Sequence, residues 1–354
     1  MTIELDFLDM LIINCLRNLK GERSINAIFH LLKGKKSSQT IQDAHLFGLT
    51  SLFQTSEVIT KAEIQDVIGR LEKKGWVTSI SKEHYVITPV GEIELQKILS
   101  IRPLPIHLNG WKYHHITNVF WERLSLLVQV VSNLIYHEQH YFPVQRKRDI
   151  HLWLKDLLKS NKDDRDLIGE TLYNELSTSL NKDERIIPQA LVIRLTGYKS
   201  IGLTLGQAAE KLGMDITHYH LEFLNVIHYL IQEVENHRIK YPLLSSLIDT
   251  KKVTLTLSTQ KTYDMLNAGY SITQIAKFRR LKLSTIEDHV VEIALNVKDF
   301  SIDSFVDEEL QISIQKVAES ISSKQLRYIR EKLAHASYFE IRLALAKSGE
   351  RQWN

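Results

Sequence analysis

The chain has 354 residues, 44% hydrophobic and 25% charged, with one cysteine and a formal net charge of +3. Such a composition excludes wholesale disorder, and the lone Cys15 excludes an intrachain disulfide framework or an all-cysteine zinc site, so a reduced, cytoplasmic protein is expected. Glycine (14) and proline (6) are both scarce, which favours a mainly α, multi-domain chain over a turn-rich β architecture.

Residues 1–100 carry 12 Lys+Arg and 12 Asp+Glu, residues 101–250 carry 17 and 17, and residues 251–354 carry 16 and 13. The whole surplus therefore sits in the last segment, the first candidate for contact with a polyanion. The start, Met1 to Asp9, is acidic and does not read as a signal peptide. Two stretches interrupt helical patterning: Ile101 to Gly110, with two prolines and a glycine, and Tyr241-Pro242 followed by β-branched residues to Thr256. Each proline lacks an N–H and pushes its predecessor out of the α region. Three modules are expected: 1–100, winged-helix-like; 101–250, helical; and 251–354, helix-turn-helix.

In the first module, helical spacing appears at Ile25/Ile28/Phe29/Leu32 and at Ile64/Val67/Ile68/Leu71. Two β runs, Trp76 to Ile80 and His84 to Thr88, flank the polar tip Ser81 to Glu83 and predict a hairpin; a further helix runs to Leu99. The phrases Leu71-Glu-Lys-Lys-Gly-Trp-Val77 and Tyr85-Val-Ile-Thr-Pro-Val-Gly91 resemble winged helices over roughly residues 40–99. That family binds duplex DNA or other proteins, and the zero net charge here leaves both uses open.

The middle module opens on an apolar run, Val119 to Ile135. Interrupted by Glu122, Arg123 and Gln129, it falls short of the roughly 20 apolar residues of a membrane span and reads as a buried helix. Further on, Leu205, Ala208, Ala209 and Leu212 line one face, Gly213 breaks it, and Ile216, Tyr219, Phe223, Val226, Ile227 and Leu230 line the next. This is a helix-turn-helix pattern or an ordinary helical hairpin. Asp215, His218, His220 and Glu222 are expected to face outward, a poor set for phosphates.

Three punctuated helices are legible in the last module. The first ends at Gly269, the second starts after the N-cap Ser271, and the third after Ser284. Ala276 is the small residue where helices cross, and Ile286 the apolar anchor. Lys277, Arg279, Arg280 and Lys282 crowd the turn, where they would position phosphates. Ser284, Thr285 and His289 are expected at the groove. Against DNA stand Glu287, Asp288 and Glu292, which repel phosphate, so weak, backbone-directed contact is expected rather than base reading; a purely structural bundle is the alternative. Two more helices follow, the second opening with a capping box from Ser337 to Glu340.

Gly269-Tyr-Ser-Ile-Thr-Gln-Ile-Ala276, Leu283-Ser-Thr-Ile-Glu-Asp-His289 and Ser337-Tyr-Phe-Glu-Ile-Arg-Leu-Ala-Leu-Ala346 resemble the "helicase helix-turn-helix" domain that ends some RecQ-type helicases. The same domain ends the bacterial YpbB family, whose gene neighbours a RecQ-type helicase gene. This resemblance implies a DNA-binding accessory of a RecQ-like helicase, acting in DNA repair or recombination.

No enzymatic constellation is legible. His137 and His140 are three apart, not the i, i+4 pair of a zinc helix, and neither His114-His115 nor His218/His220 has ligand-spaced partners. Lys33 to Ser37 lacks the upstream glycine of a phosphate loop, Phe29 standing in its place. No metal, cofactor or membrane is expected. The leading expectation is a non-enzymatic DNA-binding accessory protein; the alternatives are a sequence-specific transcription regulator and a protein-interaction adaptor without DNA binding.

Overall fold

The computed structural model describes residues 6–160, 165–248, 255–297, 299–320 and 326–351. The first third holds α1 (Phe7–Leu19), α2 (Ile25–Lys33), α3 (Ser38–Leu46), a short 3-10 turn (Thr50–Leu52), α4 (Lys61–Lys73), β1 (Val77–Ser81), β2 (His84–Ile87) and α5 (Pro89–Ile101). Next come α6 (Gly110–Tyr113), α7 (Thr117–Ile135), α8 (Arg148–Ser160), α9 (Arg165–Leu180), α10 (Gln189–Val192), α11 (Leu205–Lys211), α12 (Ile216–Asn236) and α13 (Pro242–Ser245). The last third comprises α14 (Leu257–Asn267), α15 (Ile272–Arg279), α16 (Leu283–Asn296), α17 (Glu308–Ser320), α18 (Leu326–Lys332) and α19 (Tyr338–Arg351). The fold is mainly helical with a single described hairpin, in keeping with the scarcity of glycine and proline.

Packing divides the chain into two compact units, one formed by residues 1–11 and 94–252, the other by 12–93 and 253–354. The second unit gathers most of the expected first module together with the expected third. The module boundary expected near 250 falls on residues 249–254, outside the described ones.

In the first unit, the apolar run forms α7, with Phe120, Leu124 and Leu127 fully buried. Arg123 breaks that run because it has a task inside: Nη1 donates to the carbonyl of Leu247 at 3.0 Å, and the guanidinium lies over the Trp153 ring. No helix of the described residues is long and apolar enough to cross a membrane. In the α11–α12 pair Ala208 and Ala209 are buried, Gly213 lies at φ 64° and Tyr219 is fully buried, its hydroxyl donating to Ala190 O at 2.7 Å, whereas Ile216, expected on the same face, is 60% exposed. The outward face expected on α12 is a correction. Phe7 stacks on the His218 ring at 4.4 Å and its N–H donates to Asp215, while Glu222 is buried and accepts from Asn225. The first residues of α1 cover this face, which a reading of α12 in isolation does not include.

Within the second unit, β1 and β2 pair antiparallel, Val77 facing Ile87, with a bulge between Ser79 and Ser81. The hairpin tip is pinned: Glu83 O accepts from Ile25 N at 2.9 Å and its carboxylate from Asn26 Nδ2 at 2.8 Å. Gly91 lets α5 start hard against this hairpin, since a Cβ there would lie 2.1 Å from Trp76 O. Lys33 to Ser37 is helix punctuation: Gly34 closes α2 in the left-handed region and Ser37 caps α3. Helix α3 then packs against α16 and α19. Around them Val290, Val291, Ala294, Ile302, Ile314, Ile329 and Ile341 form a buried cluster.

Two histidines held as neutral rings, His228 buried and His45 half-buried, make stability depend on pH. His228 accepts from Asn109 N–H at Nδ1 and lies 3.0 Å from Thr117 Oγ1 through Nε2; because the Thr117 hydroxyl proton is directed to Tyr113 O, Nε2–H is the donor. A second proton, at Nδ1, would face the Asn109 N–H. Burial lowers this pKa to about 3 and that of His45 to about 4. Both folded values lie below the ordinary 6.5, so the stabilisation is complete above that pH and is lost as pH falls toward the folded values. Denaturant titrations at pH 7 and pH 5 are expected to differ by about 2 kcal/mol per histidine, with a shallower slope for His228→Gln. A flat profile would contradict the assignment.

Candidate nucleic-acid interface

Helices α14, α15 and α16 are built by local chemistry the sequence makes explicit. Thr256 caps α14, Gly269 follows its last turn at φ 85°, and Ser271 with Gln274 forms a capping box on α15. Ile275, Ala276 and Ile286 pack as a buried cluster with Met265, Leu266, Ile272 and Leu281 around it. Ala276 and Ile286 thus do what their spacing predicts; a fully buried isoleucine stabilises by about 2 to 3 kcal/mol.

The start of α16 differs from expectation. It begins at Leu283, with Lys282 at the N-cap and no side-chain cap, so Ser284 and Thr285 stand inside the first turn. Leu283 is 41% exposed. Uncapped N–H groups beside Ser284 form a favourable place for an anion.

The four cations of the turn separate into two kinds. Lys277, Arg280 and Lys282 are exposed and make no ion pair with a described residue. Arg279 turns inward: its Nη1 donates to Ser258 O at 2.9 Å and to Thr262 Oγ1, and its Nη2 to Ser258 Oγ at 2.9 Å. It ties the end of α15 to the start of α14. Arg280 closes α15 in the left-handed region at φ 52°, a conformation a side chain makes unfavourable.

His289 is not at the groove. It lies three residues after Ile286 and four before Ile293, on the buried stripe of α16, and is 8% exposed. Its Nδ1 lies 2.8 Å from Thr262 Oγ1. Burial, and then the neighbouring Arg279 charge, lower its pKa, with Asp288 opposing them; the ring is held neutral as part of the core.

The carboxylates expected to repel phosphate are mostly answered within the protein. Glu292 is 7% exposed and accepts from Thr256 N at 2.6 Å and Thr259 Oγ1 at 2.6 Å, holding the start of α14. Asp288 accepts from Arg342 Nη1 at 2.6 Å, and the same guanidinium reaches Gln42 of α3 through Nε at 2.8 Å. Glu287 is left half-buried. Beyond its first turn α16 is enclosed, for Val290 through Ala294 are buried without a break.

Sequence reasoning missed Arg342, Ser258 and Thr262. Thr256, Ser258, Thr259 and Thr262 crowd one helix start, but such hydroxyls are satisfied by nearby backbone as readily as by a distant charge, so their spacing does not announce these partners.

Residues 258–345 match the family model described as a helix-turn-helix domain, and such a domain suggests DNA binding. The chain is 37% identical over 350 residues to "Protein YpbB" of Bacillus subtilis (strain 168), a match that covers 98% of each sequence. No solved structure matches the chain.

The two neighbouring arginines are expected to respond in opposite directions to substitution. Arg280→Gly relieves a left-handed backbone and should raise stability by about 1 kcal/mol. Arg279→Ala removes charge-assisted hydrogen bonds and should lower it by about 2 kcal/mol. Urea midpoints of both variants decide this, and equal shifts would contradict the division.

Proposed function

The chain belongs to the YpbB family, and on that premise we propose that it is a non-enzymatic DNA-binding accessory protein that contacts the phosphate backbone through its C-terminal helix-turn-helix. The observation that carries this reading is the exposed set Lys277, Arg280 and Lys282 at the uncapped start of α16, beside a helix whose Asp288 and Glu292 are engaged elsewhere. Cations in such a turn reach the phosphates flanking a groove and supply sequence-independent affinity. Ser284 and Thr285 add hydroxyl donors at the same helix start. Arg279 and His289, engaged inside, act by positioning the elements rather than by contact.

Enclosure of α16 supports a backbone contact over sequence reading. A recognition helix in the major groove reads base edges with side chains spread over roughly its first two turns, whereas α16 exposes little beyond its first turn. The finer readings join this proposal: a winged-helix-like module over residues 1–100, a cytoplasmic setting, and work alongside a RecQ-like helicase in DNA repair or recombination. Resemblance of the C-terminal segment to the domain that ends RecQ-type helicases supports the partnership.

Replacing Lys277, Arg280 and Lys282 together with alanine should weaken binding to every duplex sequence alike. The slope of log affinity against log salt should flatten by about 2 to 3, because each phosphate that the variant leaves unneutralised keeps its counterion. An unchanged slope in fluorescence anisotropy would sink the interface. The partnership has its own measurement: affinity purification of the full chain from nuclease-treated extract, where a RecQ-type helicase is expected to remain bound and its absence would count against the accessory role.

A further inference from the structure

From Met265 to Ile286 the sequence contains no Asp or Glu, yet it carries Lys277, Arg279, Arg280 and Lys282. In the same stretch Phe278 is 77% exposed, although its helix, α15, buries Ile275 and Ala276. A large aromatic ring left in water forgoes the stabilisation that burial would give it. Here it stands between Lys277 and Arg280, both exposed, with Tyr270 and Leu283 also partly exposed within the acid-free stretch. Aromatic faces interleaved with cations, and free of carboxylates, suit a single strand: the cations hold its phosphates and the ring stacks on a base.

Building on the DNA-binding role proposed above, we infer that Phe278 is a stacking platform for an unpaired base, so that the ligand is DNA in which single-stranded bases adjoin a duplex, such as a fork, a gap or a strand end. Paired bases inside a duplex offer their faces only to one another, and a ring at the protein surface reaches a base face only where pairing has ended. Lys277, Arg280 and Lys282 then hold backbone phosphates while Phe278 takes the first unpaired base. Charge complementarity favours a nucleic-acid strand over a protein partner at this patch, since no carboxylate lies between Met265 and Ile286 and Asp288 is paired with Arg342.

Full-length protein is titrated by anisotropy against a labelled forked DNA, a blunt duplex of the same paired length and a single strand, with 2-aminopurine as the first unpaired base of the fork. The native protein is expected to hold the fork about tenfold more tightly than the blunt duplex and to change the 2-aminopurine emission. Phe278→Ala and Phe278→Leu should both reduce fork affinity to about the blunt-duplex level and abolish the emission change, while Phe278→Trp retains both. Leucine keeps apolar bulk without a π face and so separates stacking from simple burial. Fork binding by Phe278→Leu equal to the native protein, or an equal reduction on fork and blunt duplex, would overturn the platform. If the Phe278 variants match the native protein on every probe while duplex binding still requires Lys277, Arg280 and Lys282, this inference alone falls. Failure of all three probes to bind would remove the DNA-binding role with it.

Discussion

The Arg342 guanidinium, bonded to Asp288 on α16 and to Gln42 on α3, is the contact on which the rest of the C-terminal interface depends. Helix α16 contains three carboxylates and no lysine or arginine, so on its own it would oppose any polyanion approaching its start. Arg342 neutralises one of the three, half-buried where screening by salt is weaker than at an open surface. It also joins residues 300 positions apart in sequence, which brings α3 onto the same helix. One cation thereby serves packing and charge together: the face of α16 that α3 and α19 cover is also the face whose acid it holds.

Glu292 works on a similar principle from the other side. Buried carboxylates are costly unless hydrogen-bonded, and Thr256 and Thr259 supply the donors while Glu292 satisfies the start of α14. Arg279 then closes the arrangement from α15 through Ser258 and Thr262, and its charge helps to keep His289 neutral in the core. What remains exposed at the turn is mainly cationic because Asp288 and Glu292 are engaged in holding helices together. The interface is what the packing leaves over, and its charge cannot be read from the sum of nearby side chains.

Much of this was legible in the sequence, and the boundary of what was legible has a physical cause. Local signals succeeded: Ser271, Gly269, the Ser337–Glu340 capping box, the hairpin and the Ala276–Ile286 pair all depend on residues within a dozen positions of one another. Readings failed where a distant element decided the outcome. His218 faces outward on α12 only while Phe7 is left out. His289 is a local miss instead, because its spacing from Ile286 and Ile293 puts it on the buried stripe rather than at a groove. Asp288 and Glu292 counted as repulsive because no local pattern announces Arg342 or the threonines of α14. Ser284 has the residue type of an N-cap, whereas the chain starts α16 one residue before it.

Arg280 shows the same tension between fold and interface at a single residue. A helix that ends in the left-handed region ordinarily does so on glycine, as α2 does at Gly34, whose φ is 72°. At the end of α15 the chain instead holds an arginine in that conformation at φ 52°, its N–H still closing the helix on Ala276 O and Lys277 O. Glycine would make the same backbone bonds without the steric cost, so the turn gives no structural reason for the side chain. A charge kept exposed at a strained position, between Phe278 and the uncapped start of α16, is better accounted for by what it meets outside the protein than by what it does for the fold.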